Sequence, residues 1–132
     1  MAYPAPPPPL KVVLIEDSLL VRQTMGAVLG EMVGLEVVGG AADEAAAIEL
    51  LLRQQPDLAI VDLQLRSGSG LGVLRALARE PERFGRPRAV VFSHHNHALL
   101  REHCQALGAE RFFDKATQLA ELLAYVRQAL PS

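Results

Sequence analysis

Short runs of consecutive apolar residues alternate along this chain with longer stretches whose apolar positions recur every three or four residues. The runs are 11–15 (Lys-Val-Val-Leu-Ile), 35–40 (Leu-Glu-Val-Val-Gly-Gly), 58–62 (Leu-Ala-Ile-Val-Asp), 88–93 (Arg-Ala-Val-Val-Phe-Ser) and 111–114 (Arg-Phe-Phe-Asp). Continuous apolarity of this length reads as a strand covered on both faces, the pattern of parallel sheets. The second run is the least uniformly apolar and is placed at the sheet edge. Between the runs, Ser18 opens a helix as a favoured N-cap, with Val21, Met25, Val28, Leu29 and Met32 on one face and Gly34 as its stop. Asp43 caps a second helix that turns Ala45, Ile48 and Leu52 inward and closes at Pro56. A third helix is expected over 71–79, and a fourth over about 96–107 with Gly108 as its left-handed terminator. The last, from Thr117, carries Leu119, Leu122, Leu123, Val126 and Leu130 at helical spacing. Residues 81–87 read as a polar connector. Five strands alternating with five helices predict an α/β fold with a parallel sheet and helices on both faces, because parallel strands need crossover connections.

Bulk properties narrow the function classes. At 132 residues the chain is one domain, and no internal repeat is visible. A net charge of −2 gives no electrostatic footprint for nucleic acid or an anionic membrane, so neither is expected as a partner. No apolar run approaches the roughly 18 residues of a membrane span. Residues 1–9 are Pro/Ala-rich without the apolar core of a secretory signal, and a poorly ordered tail is expected there. A single cysteine, Cys104, precludes an internal disulfide and fits a reducing cytosol, so a cytoplasmic location is expected.

The chemistry gathers where the apolar runs end. Glu16-Asp17 follow the first run, Asp62 the third, Ser93 the fourth and Asp114-Lys115 the fifth. Right-handed crossovers bring these ends to one side of a sheet, the edge at which open α/β folds bind ligands. One strand-end Asp alone would also suit a helix cap. If the first, third, fourth and fifth strands are neighbours, however, the edge collects several carboxylates, a hydroxyl and an ammonium. Two carboxylates ~5 Å apart repel by about 3 kcal/mol at an effective dielectric of 20, so such a cluster calls for a cation. Mg²⁺ suits it, being a hard ion that takes one or two carboxylates, waters and phosphate oxygens. The chain has eleven arginines and two lysines, Lys11 and Lys115. Where Arg is the default cation, Lys at a strand end suggests a site that fits a compact ammonium and not a guanidinium.

The motifs Lys-Val-Val-Leu-Ile-Glu-Asp-Ser, Ile-Val-Asp-Leu-Gln-Leu with Gly70-Leu71 beyond it, Val-Val-Phe-Ser and Gly-Ala-Glu-Arg-Phe-Phe-Asp-Lys stand in that order. Together they resemble the receiver domain of two-component response regulators, in a stand-alone form like the chemotaxis receivers. The resemblance assigns residues 10–130 to the receiver and 1–9 to the tail. It implies a flavodoxin-like doubly wound sandwich with sheet order 2-1-3-4-5. It implies further that Asp62 is the phosphoacceptor, that Asp17 binds Mg²⁺ directly with Glu16 close by or acting through water, and that the backbone carbonyl of Gln64 is another ligand. Lys115 and Ser93 would complete the catalytic set. The implied partners are a sensor histidine kinase or a histidine phosphotransfer protein, and a downstream protein target. The signal would pass through the face formed by the fourth helix, fifth strand and fifth helix, where a homodimer could also form. Ser93 and an aromatic on the fifth strand would be the switch. Phe112 and Phe113 are the candidates for that aromatic, and Phe112 is favoured because it lies three residues before Lys115, the family's spacing. The chain would act on no substrate beyond its own phosphorylation and dephosphorylation.

Several positions depart from the family pattern. His94 stands where a small residue is usual, and its bulk is expected to filter small phosphodonors at the site entrance. His95 would face the phosphoryl group and tune its loss. Arg66 replaces a common Pro, and the Arg-Ser-Gly-Ser-Gly stretch predicts a more mobile loop. Ala116 replaces a Pro often found in a cis bond. His94, His95, His97 and His103 cluster near Cys104, but no spacing among them matches a zinc signature, and His103 and Cys104 sit where a helix would pack. Two other readings compete. A phosphorylation-independent adaptor of the same fold needs none of Glu16, Asp17, Asp62, Ser93 and Lys115. A mononucleotide binder would want a phosphate-cradling loop where the acidic Glu16-Asp17-Ser18 stands. With no output domain in the chain, DNA binding by an attached domain is not expected.

Overall fold

The strands form where the apolar runs predict them. The computed structural model of the protein describes residues 4–131. The strands are β1 (Leu10–Ile15), β2 (Leu35–Ala41), β3 (Leu58–Val61), β4 (Arg88–Ser93) and β5 (Arg111–Asp114). The helices are α1 (Leu19–Gly30), α2 (Glu44–Gln54), α3 (Gly70–Arg79), α4 (Ala98–Ala106) and α5 (Leu119–Ala129). All pairings are parallel, in the order β2-β1-β3-β4-β5. This is the expected flavodoxin-like α/β sandwich.

Alternation along each strand divides the core in two, since successive side chains point to opposite faces. Val13, Ile15, Ala59, Val61 and Val91 pack with α2, α3 and α4. Val12, Leu14, Ile60, Val90, Phe92 and Phe113 pack with α1 and α5. Full burial of each large apolar side chain is worth about 1.5–3 kcal/mol, and this burial on both faces pins the register that aligns the strand ends. Ser18 and Asp43 cap α1 and α2 as expected, their side chains accepting from Val21 N (3.2 Å) and Ala46 N (2.8 Å). Among the described residues no helix is long and apolar enough to cross a membrane.

The structure corrects several details. α1 ends at Gly30, short of Gly34, which has φ +88 in the following turn. In α2 Ile48 and Leu52 pack partly buried against the core as expected, but the most deeply buried residues are Ala47, Leu50 and Leu51, and Ala45 is exposed; the helix is apolar over more than one face, so periodicity did not set its rotation. α4 starts two residues later than expected, capped by His97, and His103 is exposed while Cys104 is buried. Leu119 is exposed, the inward face of α5 being Leu122 and Val126. The polar connector contains a short 3-10 turn, Pro81–Phe84, anchored by the buried Phe84. Of the expected tail, residues 1–3 lie outside the described residues, and residues 4–9 are exposed without regular secondary structure.

Candidate functional site

Strand hydrogen bonding continues past the carboxyl ends of the sheet and holds the site residues in place. Glu16 N donates to Ala41 O (2.9 Å), Asp62 N to Ile15 O (2.8 Å) and Lys115 N to Ser93 O (3.0 Å). Glu16, Asp62 and Ser93 are the buried polar residues of the described chain, at 6%, 7% and 0% exposure. Asp17 stands beside them and is exposed. Carboxylate oxygens of Glu16, Asp17 and Asp62 lie within 4.8 Å of one another. The Lys115 ammonium reaches between two of them, donating to Glu16 Oε1 and to Asp62 Oδ2, the latter at 2.9 Å. The α3 N-terminus approaches closely because Gly70 has no side chain: a Cβ there would overlap the Asp62 carbonyl oxygen.

Electrostatics follow from this packing. Burial pushes the Glu16 carboxyl above its ordinary value, and Asp17 and Asp62 add to that, against the bonds from Lys115 and the Ser18 N–H. Burial alone would lower the Lys115 ammonium, but its bonds to Glu16 and Asp62 outweigh burial and hold it above its ordinary value. One ammonium faces three carboxylates, so the formal charge leaves room for a divalent cation. The donors are all hard oxygens, the set Mg²⁺ prefers. These residues fit that ion.

Gln64 follows two residues after Asp62, its N–H directed at Asp62 Oδ1 (3.4 Å). Its side-chain Oε1 meets His95 Nε2 at 2.8 Å, so the loop after β4 reaches across to the loop after β3. The Ser93 hydroxyl accepts from His95 N (3.2 Å). His94 is exposed and lines a groove of about 340 Å³ with Leu20, Thr24, Phe92, Lys115 and Leu119. Phe113 is fully buried, whereas Phe112 is half-buried under the Arg101 guanidinium, 4.6 Å from its ring centroid. Ala116 follows Lys115 through a trans bond. The structure thus gathers Glu16, Asp17, Asp62, Gln64, Ser93, His94, His95 and Lys115 at one edge of the sheet, with Phe112 set apart beside α4.

Some residues that shape the site left no signal in the sequence. Arg22 Nη1 donates to the Glu16 carbonyl (2.5 Å) from one turn into α1. Asn96 Nδ2 donates to Asp114 Oδ2, and Arg101 Nε donates to Asn96 O (3.2 Å). Gly68 in the loop after Asp62 and Gly72 in α3 leave room for the Glu44 side chain.

Residues 12–127 match the family model of the response regulator receiver domain. The chain belongs to that family. The receiver is 37% identical over 131 residues to protein-glutamate methylesterase/protein-glutamine glutaminase 5 of Myxococcus xanthus (strain DK1622), covering 92% of this chain and 37% of that protein. It spans 19% to 37% of the length of the methylesterase relatives from Anaeromyxobacter dehalogenans and M. xanthus. Among solved structures it is similar to the response regulator domain of Thermotoga maritima CheB, with TM-score 0.80, 21% identity and coverage of 92% of this chain and 96% of that one. It is also similar to the phosphorylated cyanobacterial phytochrome response regulator RcpA, with TM-score 0.76, 25% identity and coverage of 94% and 99%. The resemblance read from the motifs is therefore correct at the level of family and fold.

Proposed function

We propose that this receiver takes a phosphoryl group onto Asp62 from a phosphohistidine partner in a Mg²⁺-dependent reaction, and that the modification alters the face formed by α4, β5 and α5. The observation that carries this reading is the Lys115 ammonium bonded to both Asp62 and Glu16 within a pocket of three carboxylates. An adaptor that is never phosphorylated has no need of that costly arrangement.

An Asp62 carboxylate oxygen forms a bond to phosphorus while the bond from phosphorus to the partner's imidazole nitrogen breaks. The electron pair returns to the imidazole, which takes a proton from solvent. Phosphoryl transfer depends mostly on positioning and charge stabilisation, and Mg²⁺ held by Glu16, Asp17, Asp62 and the Gln64 carbonyl would neutralise charge on the transferring oxygens. Lys115 supplies a further positive charge, held in place by Glu16. The product carries about −1.5 to −2 charge, which attracts the Ser93 hydroxyl away from its bond with His95 N. Release of that bond frees the loop after β4 and lets Phe112 turn inward. His94 and His95 stand at the entrance and govern access.

The proposed partners are a sensor histidine kinase or histidine phosphotransfer protein, and a downstream protein target that reads the α4-β5-α5 face; that face could also pair two copies of the domain. A cytoplasmic location and a receiver spanning 10–130 after a tail of 1–9 belong to the same reading, as does chemistry confined to the domain's own Asp62. Phosphoprotein electrophoresis after incubation with acetyl phosphate, or kinase and ATP, plus Mg²⁺ tests it. Wild type is expected to be modified, and Asp62→Ala or wild type in EDTA is not. Equal modification of wild type and Asp62→Ala would end the proposal.

A further inference from the structure

We propose that Glu44, on the neighbouring α2, is the positioning residue for the loop that carries the Gln64 carbonyl. The inference rests on the Mg²⁺ site proposed above and adds to it a residue remote from the cluster of carboxylates. The loop after Asp62 has no proline to stiffen it and contains Gly68 and Gly70. It is held from outside. Ser69 N donates to Glu44 Oε1 (2.9 Å), Glu44 N donates to Ser67 O (3.0 Å) and Arg66 N donates to Ala42 O (3.0 Å). Ser69 in turn pairs with Gln64 in an isolated antiparallel bridge, and Gly70 N donates to Leu63 O (3.0 Å). The path from the Glu44 carboxylate to Gln64 is therefore one hydrogen bond and one bridge long.

The space around Glu44 is shaped to its side chain. A Cβ at Gly72 would overlap the Glu44 carboxylate, and one at Gly68, which also has φ +73, would collide with Glu44 Cβ. These glycines therefore leave a cradle that the Glu44 side chain fills. Glu44 is itself fixed as the first residue of α2, directly after the Asp43 cap. Outer partners that orient a ligand-bearing group change metal affinity when removed, typically by 10–100-fold.

The test is a Mg²⁺ titration of the full chain followed by the backbone amide resonances of Asp62 and Gln64, run beside thermal unfolding and the rate of phosphorylation by acetyl phosphate. Glu44→Ala is expected to raise the Mg²⁺ dissociation constant about tenfold and to slow phosphorylation at subsaturating Mg²⁺. Glu44→Gln, which keeps an acceptor for Ser69 N, is expected to stay within about twofold of wild type, a rescue that loss of charge alone would not give. Gly72→Ala, which displaces the carboxylate without deleting it, should reproduce Glu44→Ala. A lower melting temperature for Glu44→Ala with an unchanged Mg²⁺ dissociation constant would overturn the inference, as would a Glu44→Gln as defective as Glu44→Ala. Wild type that binds no Mg²⁺ would instead bring down the proposed site and this inference together.

Discussion

Replacing Lys115 by Met removes the one ammonium that separates Glu16 from Asp62 while keeping an unbranched stem of similar length. All three side chains are nearly buried, at 11%, 8% and 9% exposure. With the carboxylate oxygens within 4.8 Å of one another and an effective dielectric of 20, the two repel by at least about 3 kcal/mol, which agrees with the roughly 3–5 kcal/mol lost when one partner of a buried ion pair is deleted. In EDTA at pH 7 the variant is therefore expected to lose about 3 kcal/mol. With a urea slope of about 2 kcal/mol/M, its unfolding midpoint should fall by about 1.5 M. The deficit should depend on pH. The Glu16 carboxyl already lies above its ordinary value in the folded chain, so the folded state takes up a proton before the unfolded state as pH falls. The repulsion then disappears, and the deficit should shrink from neutral pH toward pH ~5. In wild type, Lys115 is held above its ordinary 10.5, so its contribution is complete below that pH and is lost as pH rises through the folded value. Saturating Mg²⁺ should restore much of the variant's stability, about 2.7 kcal/mol at a hundredfold excess over the dissociation constant. A midpoint in EDTA equal to wild type, or a deficit identical at pH 5 and pH 7.5, would refute the electrostatic account and leave only lost packing.

Two further outcomes are expected. His94→Ala opens the groove beside Lys115, so phosphorylation by acetyl phosphate should accelerate while transfer from a protein phosphodonor changes less; identical acetyl phosphate rates for the two proteins would remove His94 as a filter. Phe113→Ala should cost about 3–5 kcal/mol of stability because the ring is fully buried. Phe112→Ala should cost about 1–2 kcal/mol, since it forfeits partial burial and the contact with Arg101. Urea unfolding of the two variants checks the order, and a larger loss at Phe112 would contradict the packing described.

The sheet was legible because strands buried on both faces must be apolar along their length, so runs such as 11–15 and 58–62 stand out without reference to any partner. Ser18 and Asp43 announced their helices because a cap's chemistry is local. The edge cluster was legible for a related reason: parallel crossovers bring every strand end to one side, so Glu16-Asp17, Asp62, Ser93 and Lys115 could be grouped from position in the chain. Helix rotation was harder to read. Ile48 and Leu52 pack against the core as expected, but Ala45 is exposed and Ala47, Leu50 and Leu51 are the most deeply buried, because α2 is apolar over a wider arc than it buries. Leu119 likewise fits the helical period but lies on the rim of the groove beside α1.

Composition, periodicity and strand-end chemistry by themselves determined the α/β class and the residues available to the site, and the ordered motifs added family and sheet order by resemblance. Tertiary structure alone decided which charges meet. The bond between Glu16 and Lys115 joins residues 99 apart in sequence, and the clamp of Glu44 on Ser69 spans 25. Pairings of that kind are set by strand order, twist and the close approach that glycine allows. Local periodicity records how each segment folds, but it carries no information on which distant loop will lie beside it.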